Sequence, residues 1–122
     1  ANSEAGGDTV KYELGSNFFT KDPLALVTRQ DDQHWSSFVY WVVSSIFFAE
    51  ERGITQRQSN DMPLVHAFGP TYSRMFRNAI GGVGNYAQIY NRSVAAYKLP
   101  RSSLNRLNEN PFGPQHYPYP GI

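Results

Sequence analysis

Apolar and polar positions along the 122-residue chain fall into one long greasy segment flanked by short, broken ones. Trp35, Phe38, Val39, Val42 and Ile46 recur at the i, i+3, i+4, i+7 spacing of a core-facing helical stripe, and Trp41, Val43, Phe47 and Phe48 add apolar surface on its flanks. The pattern predicts a helix over 32–52. Asp31 or Asp32 would cap its start, where a carboxylate also suits the helix dipole, and Gly53 would supply a left-handed stop. A helix apolar over more than half its circumference needs cover from several partners.

Upstream, Lys21-Asp22-Pro23 is a turn signal, because the proline disfavours helical backbone at Asp22. Leu24-Ala25-Leu26-Val27-Thr28-Arg29 then has the length and β-branched end of a buried strand, and a second short strand is expected around Val10–Leu14. Residues 1–9 read as a flexible segment, and Ala1 is expected to be a mature or proteolytically cut terminus. Downstream, 54–70 is polar and interrupted by Pro63, Gly69 and Pro70, and is expected to be a connecting loop. Helices follow at about 71–80, capped by Thr71, and 85–96, with Gly81-Gly82-Val83-Gly84 as the break between them. Residues 99–122, rich in proline and tyrosine, form an extended strap. The organisation is therefore a flexible segment 1–9, a partial α/β lobe over 10–98 and a strap over 99–122.

Composition narrows the function more by exclusion than by indication. Net charge is +1 and the basic residues are scattered, which disfavours nucleic acid and anionic membrane as partners. There is no cysteine, hence no disulfide scaffold, no thiolate nucleophile and no cysteine-ligated metal. The longest apolar run, Phe38–Ala49, contains Ser44 and Ser45 and falls well short of the roughly 20 apolar residues of a bilayer span.

Candidate chemistry dissolves on inspection. His34, His66 and His116 lack ligand spacing, and surface histidines explain them better than a metal. The run Gly81–Gly84 lacks the Lys-Ser/Thr of a phosphate-binding loop and follows a helical segment instead of a strand. Ser36, Ser37, Ser44 and Ser45 lie within a helix, without the strained Gly-x-Ser-x-Gly elbow of hydrolases. No catalytic constellation, metal site or cofactor is expected. Asn91-Arg92-Ser93 is an N-glycosylation acceptor triplet, should the chain be a eukaryotic secreted one.

A resemblance emerges when several short stretches are taken in order. Lys21-Asp22-Pro23-Leu24, Val27-Thr28-Arg29 and Asp31-Asp32-Gln33-His34-Trp35 resemble the closing strand and helix start of polar amino-acid ABC-transporter solute-binding proteins. Ala49-Glu50-Glu51-Arg52-Gly53-Ile54-Thr55 resembles a helix end in the general L-amino-acid branch of that family. Val83-Gly84-Asn85-Tyr86-Ala87-Gln88-Ile89-Tyr90-Asn91-Arg92 resembles its GNYGEIFERN segment. Leu99-Pro100-Arg101 with Leu104-Asn105 and the Tyr-Pro-rich end resembles its C-terminus. Two stretches depart from the pattern: 55–71 is shorter, and Asn108-Glu109-Asn110-Pro111-Phe112-Gly113 stands where a tryptophan and paired glycines are usual.

The resemblance implies a periplasmic-binding-protein-like α/β fold of which this chain supplies the C-terminal portion, mostly helical with one or two short strands and completed by another chain. It implies reversible amino-acid binding without catalysis, in the periplasm or outside the cell, with the remaining N-terminal part of the same precursor as partner. The alternative is a structural or assembly subunit that keeps the fold and has lost its ligand. Arg29 and Asp31 lie nearest the hinge and are the ligand-contact candidates; a surface ion pair and a helix cap are their simpler roles.

Overall fold

A computed structural model describes residues 2–5, 8–13, 15–17, 25–103 and 105–109. The described chain is mostly helical, as expected. Of the three α-helices, α1 (Gln33–Glu51) is linked to α2 (Met75–Val83) through two 3₁₀ segments, and α2 to α3 (Tyr86–Ser93) through Gly84 and Asn85 alone.

The strands differ from expectation. Ala25–Arg29 belongs to no strand or sheet, and Leu24 lies outside the described residues. The only strands among the described residues are β1 (Asn2–Ala5) and β2 (Asp8–Lys11), an antiparallel hairpin in which Asn2 pairs with Lys11 and Ala5 with Asp8. A flexible segment was expected over much of that stretch, and a strand about two residues further on. Strand pairing depends on a partner edge that hydrophobic run length does not encode.

The long helix α1 starts where Asp32 Oδ1 accepts the Trp35 amide at 2.9 Å, the N-cap that the paired aspartates predict. It ends in a Schellman arrangement. Gly53, at φ +67, donates to Glu50 O at 3.0 Å, and Ile54 donates to Ala49 O at 2.8 Å. The left-handed glycine turns the chain back so that Ile54 packs against the core.

That core is formed by Phe48 and Ala49 of α1, Met75, Phe76 and Ile80 of α2, and Met62 and Val65 of the connection between them. Phe38, Trp41, Val42 and Ile46 extend it along α1. Burying a side chain such as Phe76 or Ile80 contributes about 1.5–3 kcal/mol, so these contacts, more than local propensity, hold the helices together.

The connection over 54–70 is more ordered than a polar loop. A 3₁₀ helix at Gln56–Asp61 runs against α2, and Met62, Pro63 and Val65 after it are buried. Arg77 Nε donates to Met62 O at 2.7 Å, and Gln56 Nε2 reaches Gly81 O and Gly82 O at 3.0 and 3.2 Å, satisfying carbonyls at the end of α2.

The helix boundaries also moved. Pro70–Tyr72 is a separate 3₁₀ turn, and α2 begins only at Met75, with Arg74 rather than Thr71 at the N-cap position and no side-chain cap. Gly81 and Gly82 lie inside α2, and Gly84 alone, at φ +81, breaks the chain before α3. Asn85 then forms a capping box with Gln88: Gln88 N donates to Asn85 Oδ1 at 3.0 Å and Asn85 N to Gln88 Oε1 at 3.1 Å. Asn85 Nδ2 also donates to Ile54 O at 2.9 Å, tying the start of α3 to the end of α1. Beyond α3, the expected strap contains a 3₁₀ turn, Asn105–Glu109, that lies on α1. Position 104 and positions 110–122 of the strap lie outside the described residues.

Candidate functional site

The residues expected near a ligand gather at the start of α1. Arg29 and Asp31 pair with each other as a two-pronged fork, Nε to Oδ1 at 3.0 Å and Nη2 to Oδ2 at 2.6 Å, and both are exposed. Each uses on the other the groups that would hold a ligand's carboxylate or ammonium. Asp31 does not cap the helix; Asp32 does.

Ser36 fastens the segment before α1 to the helix. Its hydroxyl lies 2.7 Å from Thr28 Oγ1 and within hydrogen-bonding distance of Arg29 O (3.2 Å) and Asp32 O (2.9 Å). With Thr28 donating to Ser36 Oγ, the single Ser36 proton is shared between the two carbonyls. A serine so engaged is a clamp and not a nucleophile.

Beside this clamp opens a cleft of about 250 Å³ lined by Asp32, His34, Trp35, Phe38, Phe68 and Tyr72. Phe38 is its centre. Trp35 stacks on it at 5.7 Å with an interplanar angle of 10°, while Phe68 and Tyr72 meet it edge-on at 5.5 Å. His34 in turn meets Phe68 at 5.4 Å. The cleft offers aromatic faces and a single carboxylate, suited to non-covalent apolar contact. Sequence periodicity marks Trp35 and Phe38, but Phe68 and Tyr72 come from the connection and the 3₁₀ turn after it, and only the fold brings them here.

Chemistry is sparse elsewhere too. Among the described residues no group of three His, Asp or Glu could hold a metal ion. No helix of the described chain is long and apolar enough to cross a membrane. His66 is exposed in the connection, His116 lies outside the described residues, and Asn91 is exposed on α3, within a helix instead of the loop an acceptor triplet suggests.

Several large apolar side chains around the start of α1 stand in water among exposed polar ones. Leu26 and Val27 are 73% and 91% exposed, and Trp35 and Tyr40 are 52% and 58% exposed. The greasy helix is thus covered by its own chain on the face toward α2 and toward its C-terminal end, and less so at its N-terminal half.

Comparison with known proteins gives three relatives. The chain is 30% identical, in an alignment 94 residues long that covers 62% of the chain, to the general L-amino acid-binding periplasmic protein AapJ of Rhizobium johnstonii. It is 29% identical, in an alignment 108 residues long that covers 73% of the chain, to the putative amino-acid ABC transporter-binding protein YhdW of Escherichia coli K12 and to its namesake in strain O157:H7. The chain spans about 27% to 32% of the length of these relatives. No family model and no solved structure matches. The similarity is distant and partial, and it supports kinship with amino-acid ABC-transporter binding proteins. Those relatives are named as binding proteins and not as enzymes.

Proposed function

We propose that this chain is the C-terminal part of an amino-acid-binding protein, and that it contributes to reversible capture of a polar L-amino acid without chemistry, in the periplasm or outside the cell. The observation that carries this reading is the similarity to AapJ and YhdW over most of the chain, combined with the short share of those proteins that it spans. The apolar surface supports it physically. Leu26 and Val27 stand on a segment that belongs to no sheet, and they, Trp35 and Tyr40 are each more than half exposed. Apolar side chains left in water are what a covering polypeptide would bury.

In this reading the patch is covered by polypeptide outside these 122 residues: the remaining N-terminal part of the same precursor. Arg29 and Asp31 then orient the segment entering α1, and the ligand is gripped mainly by the absent part.

The test is calorimetric titration of the assembled protein with a panel of L-amino acids. Saturable heat with one or a few of them is expected. Silence at millimolar ligand would favour the other reading, a structural or assembly subunit that retains the fold without the ligand. Mass spectrometry of native material checks the partner claim: the remaining part of the precursor should be found together with this chain. The chain purified alone should aggregate or unfold without a sharp transition, and a sharp monomeric transition would refute the need for a partner.

A further inference from the structure

The least exposed ion pair among the described residues lies away from the start of α1. Arg101, in the strap, has a side chain only 4% exposed, and Glu50, in the last turn of α1, has one 2% exposed. Arg101 Nη1 donates to Glu50 Oε1 at 2.5 Å and to Glu109 Oε1 at 2.9 Å. Its Nε donates to Asn105 Oδ1 at 2.6 Å and its Nη2 to Asn105 O at 2.7 Å. Four of the five guanidinium N–H groups are therefore engaged. The rings of Tyr86 and Tyr90 on α3 lie 5.0 and 5.8 Å from the guanidinium carbon, within cation–π reach.

These partners divide into two sets. Asn105 and Glu109 belong to the strap and travel with Arg101. Glu50, Tyr86 and Tyr90 belong to the helical body, and both carboxylate oxygens of Glu50 are taken by the strap: Oε1 by Arg101, Oε2 by Asn108 Nδ2 at 3.1 Å. Asn108 Nδ2 also reaches Phe47 O at 3.1 Å, and the Phe47 ring packs on Tyr86 at 4.6 Å. Taking a carboxylate out of water costs several kcal/mol unless a partner of matched geometry replaces the hydration. Charge is also balanced locally. Arg106 Nε holds the other oxygen of Glu109 at 2.9 Å, and this bond, with the charge of Glu109, raises the Arg106 pKa, so two cations face two carboxylates.

We infer that Glu50, Tyr86 and Tyr90 form a guanidinium-binding pocket, and that Arg101 occupies it in cis to latch the strap over the C-terminal end of α1. A planar fork reaches Glu50, Glu109 and Asn105 at once while lying against two rings. An ammonium, a point charge on a thinner stem, does not. The latch is separable from the amino-acid-binding reading, because its residues are all on this chain and none lines the aromatic cleft.

The test is chemical rescue in the protein as isolated, together with any chain that co-purifies. Hydrogen exchange at the Arg106 amide, which donates to Ser102 O at 3.1 Å, reports strap release. Arg101→Ala should raise that exchange about 10- to 100-fold, the range expected for losing hydrogen bonds to a charged group. Methylguanidinium at tens of millimolar should restore most of the protection, and methylammonium at equal concentration should not. Adding Glu50→Gln should abolish the rescue. Unchanged exchange in Arg101→Ala, no rescue, or equal rescue by the two cations would overturn the proposal. Should Arg101→Ala fail to fold, Arg101→Lys decides instead: exchange must rise in the strap, and wild-type protection would overturn the latch.

Discussion

Arg101 and Glu50, separated by 51 residues of sequence, meet at 2.5 Å with both side chains almost wholly withdrawn from water. A contact of this kind is weak evidence for net stability, because desolvation offsets much of the attraction, but breaking it from one side leaves an uncompensated buried charge. It therefore makes the strap part of the fold instead of an appendage. The contrast with Arg29 and Asp31 is instructive. That pair is as well formed geometrically, but it stands in water.

The difference is measurable. A double-mutant cycle on Arg29→Ala and Asp31→Ala should give a coupling below about 1 kcal/mol in denaturant unfolding, shrinking further as salt is added. A coupling of several kcal/mol would mean that the exposed fork carries more than its geometry allows.

The core makes a large and simple prediction. Phe76 is fully buried between α1 and the connection, and Phe76→Ala should destabilise the purified protein by about 3–5 kcal/mol. A loss under 1 kcal/mol in urea unfolding would show that α2 does not pack as described.

Two neighbouring glycines should respond with opposite signs. Gly84 has φ +81 and ψ −174, backbone that L residues rarely adopt, and an added Cβ would lie 2.6 Å from Gln88 Oε1, within the capping box. Gly84→Ala should cost about 1–3 kcal/mol. Gly82 is helical with open space around it, so Gly82→Ala should stabilise by about 0.4–1 kcal/mol. Thermal melts of the two variants check the pair, and shifts in the same direction would refute it.

Both caps can be removed and compared. Asp32→Ala, at an exposed cap, should cost about 1 kcal/mol. Asn85→Ala should cost more, about 1–3 kcal/mol, because Ile54 O and Gln88 N both lose a partner in a buried setting. Equal losses in chemical denaturation would contradict the tertiary role of Asn85.

The exposed patch links stability to assembly. Leu26→Asp and Val27→Asp should change the stability of this chain by no more than about 0.5 kcal/mol, since neither side chain is packed. Both should weaken co-purification with the remaining part of the protein. Retention of that partner in both variants would sink the covering role proposed for it.

The local chemistry of this chain was legible in its residues. The period of Trp35, Phe38, Val42 and Ile46 set α1, Asp32 and Gly53 set its ends, and the absence of cysteine and of clustered charge removed whole classes of function. These features act within a turn or two of helix, where backbone hydrogen bonding and side-chain spacing decide. Tertiary structure alone decided the rest. It buried Met62 and Val65 in a segment that reads as polar loop, kept Gly81 and Gly82 helical, and left Leu26 and Val27 in water although their run length suggests a strand. It also carried Arg101 to Glu50. Where a partner is seen it lies far along the chain, and periodicity reports how apolar a segment is but not which surface arrives to cover it.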